Sequence, residues 1–253
     1  MRGYRPEDLK RYERWKERWR PKLAYALIAN TIAGGSASGV TTSGIDTSGA
    51  DFIVVNVAWD AGAATPSITD SNSNSWTILN IYTAATHKSA MWYKQAPTVG
   101  AAHTFTASGT NVYPSMGVLA FSGSVASPFD QQNGANDSST TLATGSITPT
   151  ENNELIVTGF GIFNPGTPVS IDSGFTLVDS INFSSGNYYG SATAYLIQTT
   201  ASAVNPTWTR TNSNHMTASI ASFKAAAAGG AGPLLRGGSL THGALIRGGR
   251  MVG

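Results

Sequence analysis

The chain has 253 residues, no cysteine and a formal net charge of +2, a length that all-β sandwiches reach as one domain and a composition that excludes disulfides, zinc-thiolate sites and thiol catalysis. Charged residues make up 12% of it, about half the usual share, and Gly, Ser, Thr, Asn and Ala are abundant, which argues against both a long-helix protein and a disordered one. The longest apolar stretch, Leu23 to Ala33, is broken by Asn30 and falls well short of the roughly 20 residues needed to cross a bilayer, so the expectation is a soluble chain.

The charge is segregated. Residues 1–22 carry nine Lys/Arg against Glu7, Asp8, Glu13 and Glu17, a balance of +5. Residues 23–225 carry Lys88, Lys94, Arg210 and Lys224 against ten acids, a balance of −6, and Arg236, Arg247 and Arg250 give the end of the chain +3. Basic ends on an acidic body favour docking onto an acidic surface: a neighbouring copy, another protein or nucleic acid.

In chain order, Pro6 at a first helical position, Glu7 and Asp8 in the first turn and Pro21 as terminator predict a helix over about residues 6–20. Leu9, Tyr12, Trp15 and Trp19 fall on one face of it as an aromatic stripe. Three surfaces suit that stripe: the protein's own body, another subunit, or a membrane surface. So short a helix needs something to pack on. Arg2 and Arg5 lead into further charges rather than an apolar run, which predicts no secretory leader.

From about Thr31 the texture becomes short apolar runs separated by Gly, Ser, Asn, Asp and Pro, the rhythm of strands and turns. Phe52 to Trp59 predicts a buried strand, and Ser75 to Leu79, Ala90 to Tyr93, His103 to Thr106 and Met116 to Phe121 follow as further strands. The order then repeats. Glu154 to Val157 echoes Asp51 to Val54, Gly174 to Leu177 echoes Ser75 to Ile78, Thr193 to Gln198 echoes Ala90 to Gln95, Thr207 to Thr209 echoes Thr104 to Thr106, and Ser219 to Phe223 echoes Gly117 to Phe121, with offsets of 103, 99, 103, 103 and 102. Two similar halves of about five strands each are predicted, each with one apolar face, packed face to face as one antiparallel sandwich, jelly-roll or immunoglobulin-like.

The expected division is a basic helical arm over residues 1–30, the sandwich over 31–225, and a small-residue linker with a Gly/Arg-rich tail over 226–253. In the tail, Leu234-Leu235-Arg236-Gly-Gly recurs as Leu245-Ile246-Arg247-Gly-Gly after 11 residues. Such a unit is too small to bury its own apolar side chains, so these six residues are expected to become ordered on a neighbouring subunit, as in a homo-oligomer.

Few groups suggest chemistry. Asp70, Asn72 and Asn74 match the first three ligand positions of a calcium loop, but the sixth position is Ser75 and the twelfth Ile81, so a polar hairpin turn is expected. His87, His103, His215 and His242 lack metal-site spacing, and no Gly-x-Ser-x-Gly elbow occurs. No catalytic residue, cofactor or metal is predicted, and the chain reads as a non-enzyme. Aromatic platforms could stack on sugars. Trp76 and Trp208 sit where the repeat places Phe175 and Phe105 and read as core, whereas Tyr188 and Tyr189, in a Gly/Ser-rich stretch, are the best placed for a host-surface glycan.

At Thr69-Asp70-Ser-Asn-Ser-Asn-Ser-Trp76-Thr77, Ala120-Phe121-Ser122-Gly123, Ser127-Pro128-Phe129-Asp130-Gln131, Asn153 to Val157 and Ser173 to Leu177, the sequence resembles the Gly/Ser/Thr-rich β-sandwich domains of tailed-phage virion proteins, also found in bacterial surface proteins. The resemblance covers roughly residues 35–224. Ser73 stands where the family usually has Gly before the Trp, and the basic helix and the tail lie outside the shared part. It implies a virion structural protein that decorates a capsid or belongs to a head or tail fibre, with major capsid, neck or tail subunits as partners. The alternative that it implies is a carbohydrate-binding adhesin of a phage tail or bacterial surface. Neither a membrane nor nucleic acid is the expected partner.

Overall fold

The computed structural model describes residues 25–163, 169–181 and 189–226. The helix expected over residues 6–20 and the tail motifs lie outside these residues. Among the described residues the protein is all-β and its sheets are antiparallel. Fifteen strands follow in order: β1 Ala26–Gly34, β2 Gly39–Thr41, β3 Phe52–Asp60, β4 Ser67–Asp70, β5 Thr77–Ile78, β6 Tyr82–Thr83, β7 His87–Gln95, β8 Phe105–Ser108, β9 Ser115–Ser122, β10 Ser124–Ala143, β11 Glu154–Phe163, β12 Val169–Ile171, β13 Thr176–Ile181, β14 Tyr189–Gln198 and β15 Thr207–Ala225. The first strand therefore starts at Ala26, with the buried Tyr25 before it, inside the stretch assigned from sequence to the arm.

Two six-stranded sheets run β1-β9-β3-β7-β5, with β6 also on β7, and β10-β15-β11-β14-β13, with β12 on β15; a three-stranded sheet runs β2-β8-β4. The two large sheets repeat each other in register as well as in order. The pairs Leu27↔Phe121, Phe52↔Phe121, Val54↔Tyr93 and Thr77↔Tyr93 recur as Phe129↔Phe223, Leu155↔Phe223, Val157↔Tyr195 and Thr176↔Tyr195. Even the irregularity between Leu27 and Ala29 recurs between Phe129 and Gln131. One offset differs from the sequence alignment: β7 maps onto β14 at 102 residues, Tyr93 onto Tyr195, not at 103. Because side chains alternate faces, the one-residue slip would have exchanged the inner and outer faces of that strand.

The halves are not single sheets with one apolar face each. β3 and β11 are buried along nearly their whole length, and residues on one face pack differently from those on the other. On β3, Ile53, Val55, Val57 and Trp59 pack with Phe105 and Ala107 of β8 and Ile68 of β4 in a core belonging to the first half. On β11, Ile156, Phe160 and Ile162 pack with Trp208 and Leu142 in a second core, with Val169 and Ile171 of β12 against it. The ends of β10 and β15 thus do in the second half what β2 and β8 do in the first. The alternate residues, Phe52 and Val54 on one sheet and Leu155 and Val157 on the other, meet in a third core between the two large sheets. Burial on both faces is why these strands read as continuous apolar runs rather than alternating ones.

Candidate functional site

The face shared by the two large sheets changes character along its length. At one end it is aromatic: Phe223 lies 4.7 Å from Phe52 and 5.5 Å from Tyr93, ring centre to ring centre, and Phe121 lies 5.3 Å from Tyr195. The halves are also tied there by the chain itself, which passes from β9 to β10 through Gly123, by the Asp51 carboxylate accepting the Gly123 and Ser124 amides, and by the Tyr25 hydroxyl donating to the Lys224 carbonyl at 2.9 Å.

Two residues further along each strand the face becomes small and polar. Asn56, Ser115, Ser191, Thr193, Thr217 and His87 are all buried. Ser115 Oγ and Ser191 Oγ stand 2.9 Å apart, Asn56 Nδ2 donates to the Ala192 carbonyl at 3.3 Å, and His87 Nε2 lies 3.0 Å from Thr217 Oγ1. Glycines make the close approach possible. A Cβ on Gly159 would lie 2.1 Å from Asn56 Oδ1, and one on Gly117 would lie 2.6 Å from Thr193 Oγ1.

At the far end of this polar seam, Tyr189 donates its hydroxyl to Asp60 Oδ2 at 2.6 Å, while Asp60 Oδ1 accepts the Gly62 amide. The Tyr189 phenol is held above its ordinary pKa by burial and then by its bond to the Asp60 carboxylate. Burial pushes the His87 imidazole down to about 4, against a backbone hydrogen bond with Gly161 that favours the proton; His215 and Arg210 push it further down. His87 and Tyr189 are equivalent positions in the repeat, 102 residues apart, and their rings are 6.1 Å apart.

Tyr189 was expected to meet a glycan. It is only 5% exposed and its hydroxyl is engaged by Asp60, so its ring faces the seam and not a ligand in solvent; Tyr188 lies outside the described residues. Trp208 is core as expected, stacked on Phe160 at 5.0 Å with its indole N–H donated to Thr158 Oγ1. Trp76 is half-buried, edge-on to Phe105 at 6.0 Å.

The turn at Asp70 is consumed by its own bonds. Asp70 Oδ1 accepts from the Asn72 and Asn74 amides and from Asn74 Nδ2, Oδ2 accepts the Trp76 indole N–H at 3.0 Å, and His103 Nε2 stands 3.2 Å from Oδ1. The other ring nitrogen of His103 lies 3.0 Å from Thr47 Oγ1. This carboxylate organises a polar turn but not the expected hairpin, because β4 pairs with β8 and β5 with β7 in a different sheet; no cluster of three or more His, Cys, Asp or Glu suited to a metal occurs among the described residues. Thr47, His103 and Asp70 line up nucleophile, imidazole and acid, but Thr47 and His103 are fully buried and serve as struts. Asp70→Ala is expected to lower stability by about 2 kcal/mol, the range for losing charge-assisted hydrogen bonds, with no change in melting temperature on adding calcium to the parent protein; calorimetry with and without the ion reads both.

A second acidic cluster lies beside the aromatic end. Lys224 Nζ is 3.6 Å from Asp130 Oδ1 and 3.4 Å from Glu151 Oε1, and the buried Glu154 accepts the Glu151 amide. Burial, then Asp130, pushes the Glu154 carboxyl up. Asp130 is held low because the hydrogen bonds from Thr150 and the Lys224 charge outweigh its own burial.

Comparison with protein-family models, with curated proteins and with solved structures gives no match.

Sequence reasoning singled out none of Asn56, Asp60, Thr217 or Gly159, and it weighed His87 as a metal ligand and read it as an ordinary surface or strand histidine. A signal for them was there: Asn56 interrupts the apolar run Phe52 to Trp59, and the repeat sets Gly159 opposite that interruption.

Proposed function

We propose that this chain is a non-enzymatic structural protein of a phage particle, decorating a capsid or forming part of a head or tail fibre, with the β-body projecting and the two basic ends attaching it to neighbouring subunits. The observation that carries the reading is electrostatic. All ten acids of residues 23–225 fall within the described body, whose balance is −6, whereas the ends carry +5 and +3, so each copy offers both partners of a complementary contact. The resemblance to phage virion sandwiches supports the same reading, with the body taken as a jelly-roll or immunoglobulin-like sandwich of two duplicated halves. The adhesin reading loses Tyr189, one of its two proposed sugar platforms.

The test uses the full chain and particles that carry it. Trp15→Ala with Trp19→Ala removes two interface-type aromatics and is expected to lower occupancy on particles by about tenfold or more, the effect of losing a hot-spot contact, with the melting temperature of the body unchanged. Deletion of residues 232–253 should act in the same direction. Full occupancy in both variants, or specific capture of the protein on a glycan array, would sink the attachment reading.

A further inference from the structure

The seam between the two large sheets is fastened unequally. Its aromatic end carries the covalent crossing at Gly123, the two amide bonds to Asp51 and the Tyr25 bond to Lys224. Among the described residues its polar end has no chain crossing, and the sheets are held there by side chains: Ser115 to Ser191, Tyr189 to Asp60, and His87 to Thr217.

Of these, only the contact through His87 contains a group that gains a charge between neutrality and mild acid. His87 opens β7, is fully buried, and reaches across to β15 through Nε2, with Nδ1 3.3 Å from Thr86 Oγ1 on its own side. The groups around it suit a neutral ring. Gly161 of β11 lies under it, close enough that an added Cβ would sit 3.2 Å from His87 Cδ2, and its backbone hydrogen bond is the one contact that favours the proton, outweighed by burial. From β15 it faces Arg210 and His215, both of which oppose a positive charge. From β14 it faces the Tyr189 phenol, and the β3 carboxylate, Asp60, is already bonded to that phenol and to the Gly62 amide. Its neighbour Lys88 donates to the Ala63 carbonyl. Among the described residues no carboxylate lies within ion-pair distance of His87.

We propose that His87 is an acid-sensitive latch between the two halves: protonation of its ring releases β7 from β15 at the polar end of the seam, and the halves part there while the aromatic end holds.

The sign follows from linkage. A histidine whose folded pKa lies below its free value of 6.5 contributes stability that is present above 6.5 and lost as the pH falls towards about 4. Glu154, beside the aromatic end, has the opposite sense: burial raises its carboxyl pKa, so its contribution is present below the free value of 4.5 and lost as the pH rises. Asp130, in the same cluster, is held low, so its contribution is lost only as the pH falls below its free value of 3.8; between pH 7 and pH 5 acid therefore loosens the polar end of the seam and not the aromatic one.

Because the chain has no cysteine, single thiols report on each end. Ser191→Cys places one in the polar seam, and Ala221→Cys places one in the aromatic core. Labelling of the full-length variants by a pyridyl disulfide, which reacts with thiols down to acid pH, is compared with labelling of the urea-unfolded chain. Between pH 7 and pH 5 the protection of the Ser191→Cys thiol is expected to fall about twentyfold, the population shift that linkage gives for a ring moving from about 4 to 6.5 on opening. Protection of the Ala221→Cys thiol should stay constant, and His87→Gln should make the Ser191→Cys response flat. Equal loss at both ends, or an unchanged response with His87→Gln, overturns the proposal. If His87→Gln fails to fold, the His87 ring is titrated by NMR in the parent protein: a midpoint well below 6.5 that coincides with a shift of the Thr217 signals supports the latch, and a midpoint at or above 6.5 overturns it.

Discussion

Gly159→Ala is expected to destabilise the protein by about 3 kcal/mol, at the upper end of what overpacking a close-packed core costs. The added methyl would stand 2.1 Å from Asn56 Oδ1 and 2.4 Å from its Cγ. Asn56 is short and fully buried, and it is tied through Nδ2 to the Ala192 carbonyl on the opposite sheet. Moving aside would break that bond in a place water does not reach. The cause can be isolated because Asn56 and Gly159 are repeat equivalents that face each other. Asn56→Ala alone should cost about 1 kcal/mol, the usual net worth of a hydrogen bond. Combined with Gly159→Ala it should restore most of the lost stability, so that the two substitutions couple by about 2 kcal/mol or more in a double-mutant cycle. Urea denaturation of the four proteins reads this directly. A neutral Gly159→Ala, or additive effects, would mean that the two sheets do not meet at this pair.

The same pair shows where sequence reading succeeds and where it stops. Strand positions were legible because Phe52 to Trp59 and Glu154 to Phe163 are long apolar runs bounded by turn residues, and duplication doubled the signal. Thr77-Ile78 and Thr176-Leu177 occupy matching positions against β7 and β14 at the offset of 99 read from sequence. The repeat of β1 in β10 was not legible. Leu27-Ile-Ala-Asn-Thr-Ile and Phe129-Asp-Gln-Gln-Asn-Gly share almost no residue types, because both lie at sheet edges, where packing constrains side chains least. Their equivalence is carried by backbone pairing and a common bulge.

What sequence could not give was the number of layers. A strand buried on both faces and a strand buried on one differ in periodicity only if the second face is polar. Here that face is aromatic at one end and Ser, Thr and Gly at the other. Small polar residues read as solvent-facing in a composition this rich in them, yet Ser115, Ser191 and Thr217 are fully buried. The polar half of the seam was therefore hidden by the residue types that let the sheets approach closely. Tyr189 was misplaced for a related reason: a Gly/Ser-rich stretch suggests a loop, but Tyr189 opens β14 and turns inward to Asp60.

Phe223→Ala is expected to cost about 3–5 kcal/mol, the range for truncating a buried phenylalanine, and to lower the stability of both halves together. Phe223 is fully buried on β15 and meets Phe52 at 4.7 Å and Tyr93 at 5.5 Å from the first half, with Phe129 of its own half at 6.3 Å. Its removal leaves a cavity bounded by two sheets whose backbones are fixed by their own ladders, so little collapse can refill it. Each half also has a separate core, around Trp59 in one and Trp208 in the other, and the two could in principle melt apart. The shared third core predicts that they do not: the parent should show one calorimetric transition whose van't Hoff and calorimetric enthalpies agree. Phe223→Ala should move that single transition down as a unit, and Trp208→Ala, which opens only the second core, should do the same. Two resolved transitions in the parent, or a Trp208→Ala transition in which the first half melts at its original temperature, would show that the aromatic seam joins two independent sandwiches instead of closing one cooperative body.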